Sequence, residues 1–460
     1  MNENAPGPPG GLLLGSTLDF RERPLQYLSY LADAYGDIVH FRVGFQDWYL
    51  LSNPEHVWDV TVRRQDLFHK PQLAKRLWKP FLGRGIITTD GADWKKAHKL
   101  IRPGFHRDRI EAYGRTMVEF TERMLDRWEQ GEQRDVHADL VALTLEIVAK
   151  TLFDTDVADD AAAVGEAMLV IQQVMADHIH LPLPLPAWWP STANRRKVKA
   201  LADIHGIVDR IIQERRAEGV DHGDLLGTLL SARDDEGAGM DDRQIRDEAM
   251  TLFFAGHETS SNALAWAWYL LSKHPEAADG CAQEIREQCG ARDIQASDLR
   301  QLPYLDRVVK ECMRIMPSVW VFMREPIEDV PMGDFVLPKG CNVLISPWVL
   351  QHDHRWFPDP ERFDPDRFTK ERESALPNGA FVPFAAGPRV CAGKAFAVME
   401  MRLVLGTMLR RQVPTLVEGF EPDPVAELSL HPRGGLPIVV QQRMYPIPAL
   451  RSMGALSHQD

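Results

Sequence analysis

Apolar residues recur at helical spacing without a break from Asp241 to Lys273. This predicts one helix of about 33 residues, about 50 Å long at 1.5 Å per residue. The same period predicts helices over residues 24–36, 108–152, 161–177, 194–218, 304–316 and 394–411. Strand patterns are fewer. Ile38 to Arg42 and Trp48 to Leu51 read as two strands joined through Gly44, and Val319 to Arg324 enters another after Pro317 ends a helix. Residues 180–190, HLPLPLPAWWP, are apolar and broken by proline, and residues 221–239 form a polar connector. The pattern is mostly α with a minor β part.

Two stretches violate their local rules. The centre of the longest helix reads Ala255-Gly256-His257-Glu258-Thr259-Ser260. Glycine alone costs about 1 kcal/mol in a helix interior, and a charge and two hydroxyls in an apolar helix add to that. Such a violation marks a functional site, and it can loosen the hydrogen-bond ladder enough to admit water. The second stretch is Phe384-Ala385-Ala386-Gly387-Pro388-Arg389-Val390-Cys391-Ala392-Gly393, ahead of a long helix. Pro383 and Pro388 forbid regular helix before the cysteine, and Gly387 and Gly393 let the backbone pass close to something bulky. A thiol at a helix N-terminus, two residues from Arg389, has its thiolate favoured by the dipole and the charge.

Composition narrows the class. The 460 residues exceed one small core, and 44% hydrophobic with 26% charged content suits an ordinary globule. A formal charge of −13 argues against nucleic acid or an anionic membrane as the main partner. Five scattered cysteines without a C-x-x-C pair exclude a zinc ribbon and suit a reducing, cytoplasmic compartment. The N-terminal stretch has no signal-peptide pattern, and nowhere do about 20 apolar residues run together as a membrane anchor would need.

The cysteine stretch matches F-x-x-G-x-R-x-C-x-G at every fixed position and so resembles the haem-binding loop of the cytochrome P-450 family. Ala255 to Ser260 matches the family's [A/G]-G-x-[D/E]-T-[T/S], Glu311 to Arg314 its E-x-x-R, and Pro360 to Phe363 resembles its P-E-R-F segment. Trp94 and His98 stand where the family commonly has W-x-x-x-R. The histidine form occurs in the fatty-acid-hydroxylase-like branch, closest in motifs. The resemblance spans roughly residues 5–443. It implies a mostly α fold with a minor β lobe and haem between a long distal helix and the Cys loop. A single domain would cover 16–443, its β-rich lobe mainly 36–70 and 317–346, with a flexible stretch 1–15 and a tail 444–460.

Residue by residue, the resemblance implies that the Cys391 thiolate ligates the iron of heme b, a ligation that favours O–O cleavage. Phe384 and Gly393 would pack around the sulfur. Arg389, Arg324, Trp94 and His98 would hold the propionates. The usual propionate histidine falls near Gln351-His352 and is replaced. Ala255 and Gly256 would border the distal face, and Glu258 and Thr259 would deliver protons to dioxygen through ordered water. Glu311, Arg314 and Arg362 would form a buried scaffold network. Val319, Trp320, Phe322, Leu428 and Ser429 would line the substrate pocket under a lid at 180–190, and Leu428 to His431 with Gly434 to Val440 would form a C-terminal hairpin whose tip enters it.

The implied activity is monooxygenation: hydroxylation or epoxidation of a hydrophobic terpenoid, polyketide or fatty acid by a soluble, monomeric bacterial enzyme. Gln46 and Asp47, where a carboxylate anchor would be wanted, weigh against a fatty acid. Electrons would come from NAD(P)H through a reductase and a ferredoxin or flavodoxin. Lys95, Lys96, Lys99, Arg102, Arg107 and Arg109 form the densest basic cluster in this acidic chain and are the candidate docking face. A peroxide-driven peroxygenase or haem isomerase is the alternative on the same scaffold. It is disfavoured by the presence of Glu258 and Thr259, as is a non-catalytic haem-binding protein.

Overall fold

A computed structural model describes residues 5–11, 15–153, 167, 170, 191–219, 223–233 and 237–444. The proline-rich stretch 180–190, the predicted helix 161–177 apart from residues 167 and 170, and the tail beyond Met444 lie outside the described residues.

The long helix runs from Asp242 to Lys273, capped by the Asp241 carboxylate, which accepts from the Gln244 N–H at 2.7 Å. It packs against the helices Val136–Phe153 and Lys394–Arg411. Trp266 and Trp268 from its second half are fully buried in the largest apolar cluster, together with Leu403 to Leu405 of the 394–411 helix. Its first half buries Phe253 and Phe254 in a separate cluster with Leu100, Ile204 and Leu226. One helix thus joins two cores, and the site lies at its middle.

The other lobe is a five-stranded sheet. Its strands lie in the order Ile38–Val43, Gln46–Leu51, Asn342–Ile345, Phe322–Pro326 and Phe68–His69. The first two pair antiparallel across Gly44, whose φ of 58° the turn requires. Gln46–Leu51 then pairs parallel with Asn342–Ile345, a strand about 300 residues later.

Two expectations fail, one from periodicity and one from the resemblance. Residues 108–152 are two helices, Arg107–Leu125 and Val136–Phe153. Between them Gly131 takes φ 80° and its N–H reaches the Val440 carbonyl at 2.8 Å, so the chain turns there onto the C-terminal strand. The two halves of the expected C-terminal hairpin do not pair with each other. Leu430–Pro432 pairs with Pro424–Ala426, and Pro437–Val439 pairs with Gln133–Asp135.

Candidate active site

Cys391 is held by its own loop. Its N–H donates to the Phe384 carbonyl at 3.0 Å, and the Lys394 N–H, opening the next helix, donates to the Cys391 carbonyl at 3.2 Å. Gly387 makes the loop possible: its φ is 72°, and a Cβ there would stand 1.9 Å from the Thr61 carbonyl oxygen. The Cys391 residue is exposed, while enough protein surrounds its thiol for desolvation to act on it. Burial pushes the thiol pKa up. The Gly393 and Lys394 N–H groups and the Lys394 charge oppose that and favour the thiolate. A sulfur with two backbone donors aimed at it is a prepared anionic ligand. The Lys394 ammonium also lies 5.9 Å over the Phe384 ring.

Beside the loop is a cluster with more cations than carboxylates. Arg389 pairs with Asp90 and lies 5.2 Å over the Trp94 ring, and Trp94 stacks on His98 with centroids 5.0 Å apart. Lys75 pairs with the same Asp90 at 2.7 Å. Arg324 is buried and donates only to the Met323 carbonyl, with no carboxylate at ion-pair distance among the described residues. Burial, then the Arg389 charge, pulls its pKa down to about 10. Lys70 caps the Ile86 and Thr89 carbonyls, and burial lowers its pKa to about 7. A buried cation without a counter-ion costs free energy in isolation, so four cations around one carboxylate fit a dianionic group. Lys70, Lys75 and Asp90 carry no motif and escaped the sequence reading.

On the helix 242–273, side chains reach four ladder carbonyls between residues 253 and 258. His257 Nδ1 lies 3.0 Å from the Phe253 carbonyl. The Thr259, Thr144 and Ser261 hydroxyls donate to Ala255, His257 and Glu258 at 2.8, 3.0 and 3.0 Å. Such bonds weaken a helix ladder. The helix nevertheless stays α throughout, so the expected opening is limited to this carbonyl sharing. Ala255, Gly256, Glu258 and Thr259 are half-buried while His257 and Ser260 are buried, which puts the acid–alcohol pair on the open side. A Cβ on Gly256 would meet Val148 at 3.0 Å, so that glycine also lets the 136–153 helix pack close.

Three expectations need correcting. Arg362 is exposed and does not join the Glu311–Arg314 pair: its backbone carbonyl accepts from Arg314, while the buried Arg367 approaches Glu311 at 3.4 Å. Trp320 faces the core, 6.4 Å from Phe20, with its indole N–H on the Glu427 carbonyl at 2.9 Å. Ser429 is buried and hydrogen-bonded to Glu258 at 2.6 Å, so it belongs to the acid and not to an apolar wall. Val319, Phe322 and Leu428 are half-buried. The segment Gln351-His352 holds scaffold. Gln351 ties the Met313 and Arg314 carbonyls at 3.0 Å each, and His352 stacks on Trp348 at 4.1 Å.

Residues 5–435 match the family model of cytochrome P450. The chain belongs to the cytochrome P450 family. It is 38% identical over 427 residues to cyclooctatin synthase of Streptomyces melanosporofaciens, covering 92% of each. It is 36% identical over 409 residues to cyclooctat-9-en-7-ol 5-monooxygenase of the same organism, covering 88% of each. Pentalenene oxygenase of Streptomyces avermitilis is 32% identical over 428 residues, covering 92% of this chain and 95% of that protein. The solved retinoic acid-bound cyanobacterial CYP120A1 superposes with a TM-score of 0.87 at 26% identity, covering 96% and 99% of the two chains. This P450 is therefore a monooxygenase whose haem is held by a cysteine thiolate. No described helix is long and apolar enough to cross a membrane.

Proposed function

We propose that this P450 inserts one oxygen atom into a hydrophobic terpenoid, RH + O2 + 2 e⁻ + 2 H⁺ → ROH + H2O. The electrons come from a ferredoxin or flavodoxin and its NAD(P)H reductase. What supports the substrate class is a set of half-buried apolar side chains, Val319, Phe322 and Leu428, together with relatives named as a 5-monooxygenase of cyclooctat-9-en-7-ol and an oxygenase of pentalenene. Ile86, Ile87 and Leu252 pack on the same apolar cluster as Leu428. A fatty acid is disfavoured by the first hairpin, where Asp47 is exposed and paired with His40 at 2.9 Å.

Cys391 is the thiolate ligand, and Arg324, Arg389, Trp94 and His98, with Lys70, take the propionates. Haem, when bound, supplies the iron at which dioxygen is reduced. Glu258 and Thr259 supply the two protons: the threonine hydroxyl can rotate from the Ala255 carbonyl, and the carboxyl can swing from Ser429. The half-buried apolar residues orient the substrate and keep bulk water from the protons' path.

Electron-donor docking falls to the exposed Lys95, Lys99 and Arg102. The Phe105 ring lies against Gly393, which puts this edge on the cysteine side, and a recess of about 710 Å³ lined by Lys99, Arg102 and His106 adjoins it. The protein acts as one haem domain, 16–443, and as a monomer.

The test is an optical titration of the purified holoenzyme with terpenoid and fatty-acid panels, followed by turnover with a surrogate ferredoxin system. Terpenoids should displace the water on the iron and yield hydroxylated or epoxidised product. Preferential turnover of fatty acids would overturn the substrate class. Equal turnover with peroxide alone and no electron donor would overturn the donor requirement.

A further inference from the structure

Glu258 is the near end of a chain of hydrogen bonds that crosses three elements. Its Oε1 accepts from the Ser429 hydroxyl at 2.6 Å. The Ser429 oxygen accepts from Asn262 Nδ2 at 2.9 Å, and Asn262 Oδ1 lies 2.7 Å from His137 Nε2. Asn262 is one turn after Glu258 on the long helix and so shares its face. Ser429 comes from the C-terminal strand region, and His137 from the first turn of Val136–Phe153. Asn262 and Ser429 are each 2% exposed and stand among Ala263, Trp266, Leu430 and Leu436. His137 is half-buried, so the far end of the chain approaches the surface. Polar groups buried in an apolar interface cost stability unless their bonds are made, and here the three bonds are made in series.

With Glu258 ionised, the direction of every one of those bonds follows. A carboxylate only accepts, so Ser429 must spend its single O–H on Glu258. The serine oxygen is then free to accept, which turns the Asn262 amide nitrogen toward it. The amide oxygen must in turn accept from an imidazole protonated on Nε2. Burial lowers the His137 pKa, and Asp135 and His431 are the titratable neighbours that act on it. Every donor therefore points toward Glu258. An amide does not pass protons along such a chain, so its effect is on the form and orientation of the carboxyl.

We propose that Ser429, Asn262 and His137 are positioning residues that hold Glu258 as a carboxylate, docked on the C-terminal strand region until it takes up the proton destined for dioxygen. Protonation weakens the Ser429 bond, because a neutral carboxyl is a poorer acceptor than a carboxylate, and favours a turn of the side chain toward Thr259. This inference rests on the reading of Glu258 and Thr259 as the proton-delivering pair.

The test uses the haem-loaded enzyme and its Ser429→Ala, Ser429→Thr, His137→Ala, Glu258→Gln and Thr259→Ala variants. Infrared difference spectra taken on photolysis of carbon monoxide report carboxyl groups near the iron without turnover. S429A should show the carbonyl band of a protonated carboxylic acid that the parent enzyme lacks, and the band should vanish in S429A/E258Q. Product formed per NAD(P)H consumed should fall about tenfold in S429A, the scale on which outer hydrogen-bond partners act. The optical dissociation constant for substrate should stay unchanged, and S429T should restore the yield. If S429A fails to take up haem, H137A at the half-exposed end reads the same band. Parent-like spectra and yield in S429A and H137A, with T259A uncoupled, would overturn the positioning role. Parent-like yield in both T259A and E258Q would instead overturn the proton-delivery reading, while the infrared band still shows whether the chain holds Glu258 ionised.

Discussion

Glu311 is a fully buried carboxylate, and the fork of the equally buried Arg314 meets it twice, at 2.7 and 2.9 Å. The same guanidinium reaches the Gln351 and Pro360 carbonyls, at 2.8 and 2.7 Å, and the Asp364 N–H donates to Glu311 at 2.8 Å. One pair thus fixes three segments around the cysteine side of the fold. Glu311→Gln leaves Arg314 and Arg367 without their anion and should cost about 3–5 kcal/mol in urea unfolding. Arg362→Ala should stay within about 0.5 kcal/mol, because that side chain is exposed. Sequence alone pointed to Arg362 because it stands in the motif; the backbone turn at Asp359, φ 50°, carries that side chain outward and brings Arg367 in. Arg324 illustrates the opposite balance. Arg324→Leu should lower the haem-to-protein ratio of purified enzyme while leaving the unfolding of the haem-free chain unchanged or stabilised. A buried cation without a counter-ion serves ligand binding at the expense of the fold.

Among the elements, the loop 83–90 is tied to the long helix through two carboxylates. The Arg84 and Ile86 N–H groups donate to the Asp247 and Glu248 carboxylates, each at 2.8 Å. Burial lifts the Glu248 pKa to about 7. A Cβ on Gly85 would come 2.0 Å from the Thr251 hydroxyl. Gly85→Ala must therefore lift the loop off the helix, and with it Asp90 and the adjoining cation cluster. The expected cost is about 1–3 kcal/mol, read as a lower thermal midpoint and faster loss of haem to apomyoglobin. The helix itself was legible in its apolar period and its rule-breaking centre. The loop was not, because backbone N–H groups leave no mark on a sequence and the carboxylates that accept from them lie about 160 residues away.

Across the whole molecule, Glu400 connects the cysteine-side helix to the long helix. It is fully buried beside Ser260, no ordinary hydrogen bond satisfies its oxygens, and burial raises its pKa from 4.5 to about 8. The folded chain therefore keeps this proton where the unfolded chain releases it. The stabilising contribution is complete below about pH 4.5 and is lost as pH rises through about 8, a difference of order a few kcal/mol. Thermal midpoints compared between the parent and Glu400→Gln from pH 5 to 9 should show the parent losing ground steadily toward pH 8, after which the gap is constant. A gap independent of pH would show that Glu400 is ionised in the fold. Charge acts at this scale too: with a net −13 and a basic edge on the cysteine side, electron transfer from an acidic donor should slow as ionic strength rises.

The sequence by itself determined the helical class, the cysteine loop and the acid–alcohol turn. Each of these is local: periodicity, proline and glycine punctuation, and fixed spacing lie within a few turns of chain. The tertiary structure alone decided which partners meet. Arg367 in place of Arg362, Ser429 on Glu258 instead of on a substrate wall, Asp90 among the cations and the pairing of residues 437–439 with 133–135 all join segments far apart in the chain. Hydrogen bonds and ion pairs depend on distance in space, and the chain order between 90 and 389 or 258 and 429 carries no record of it.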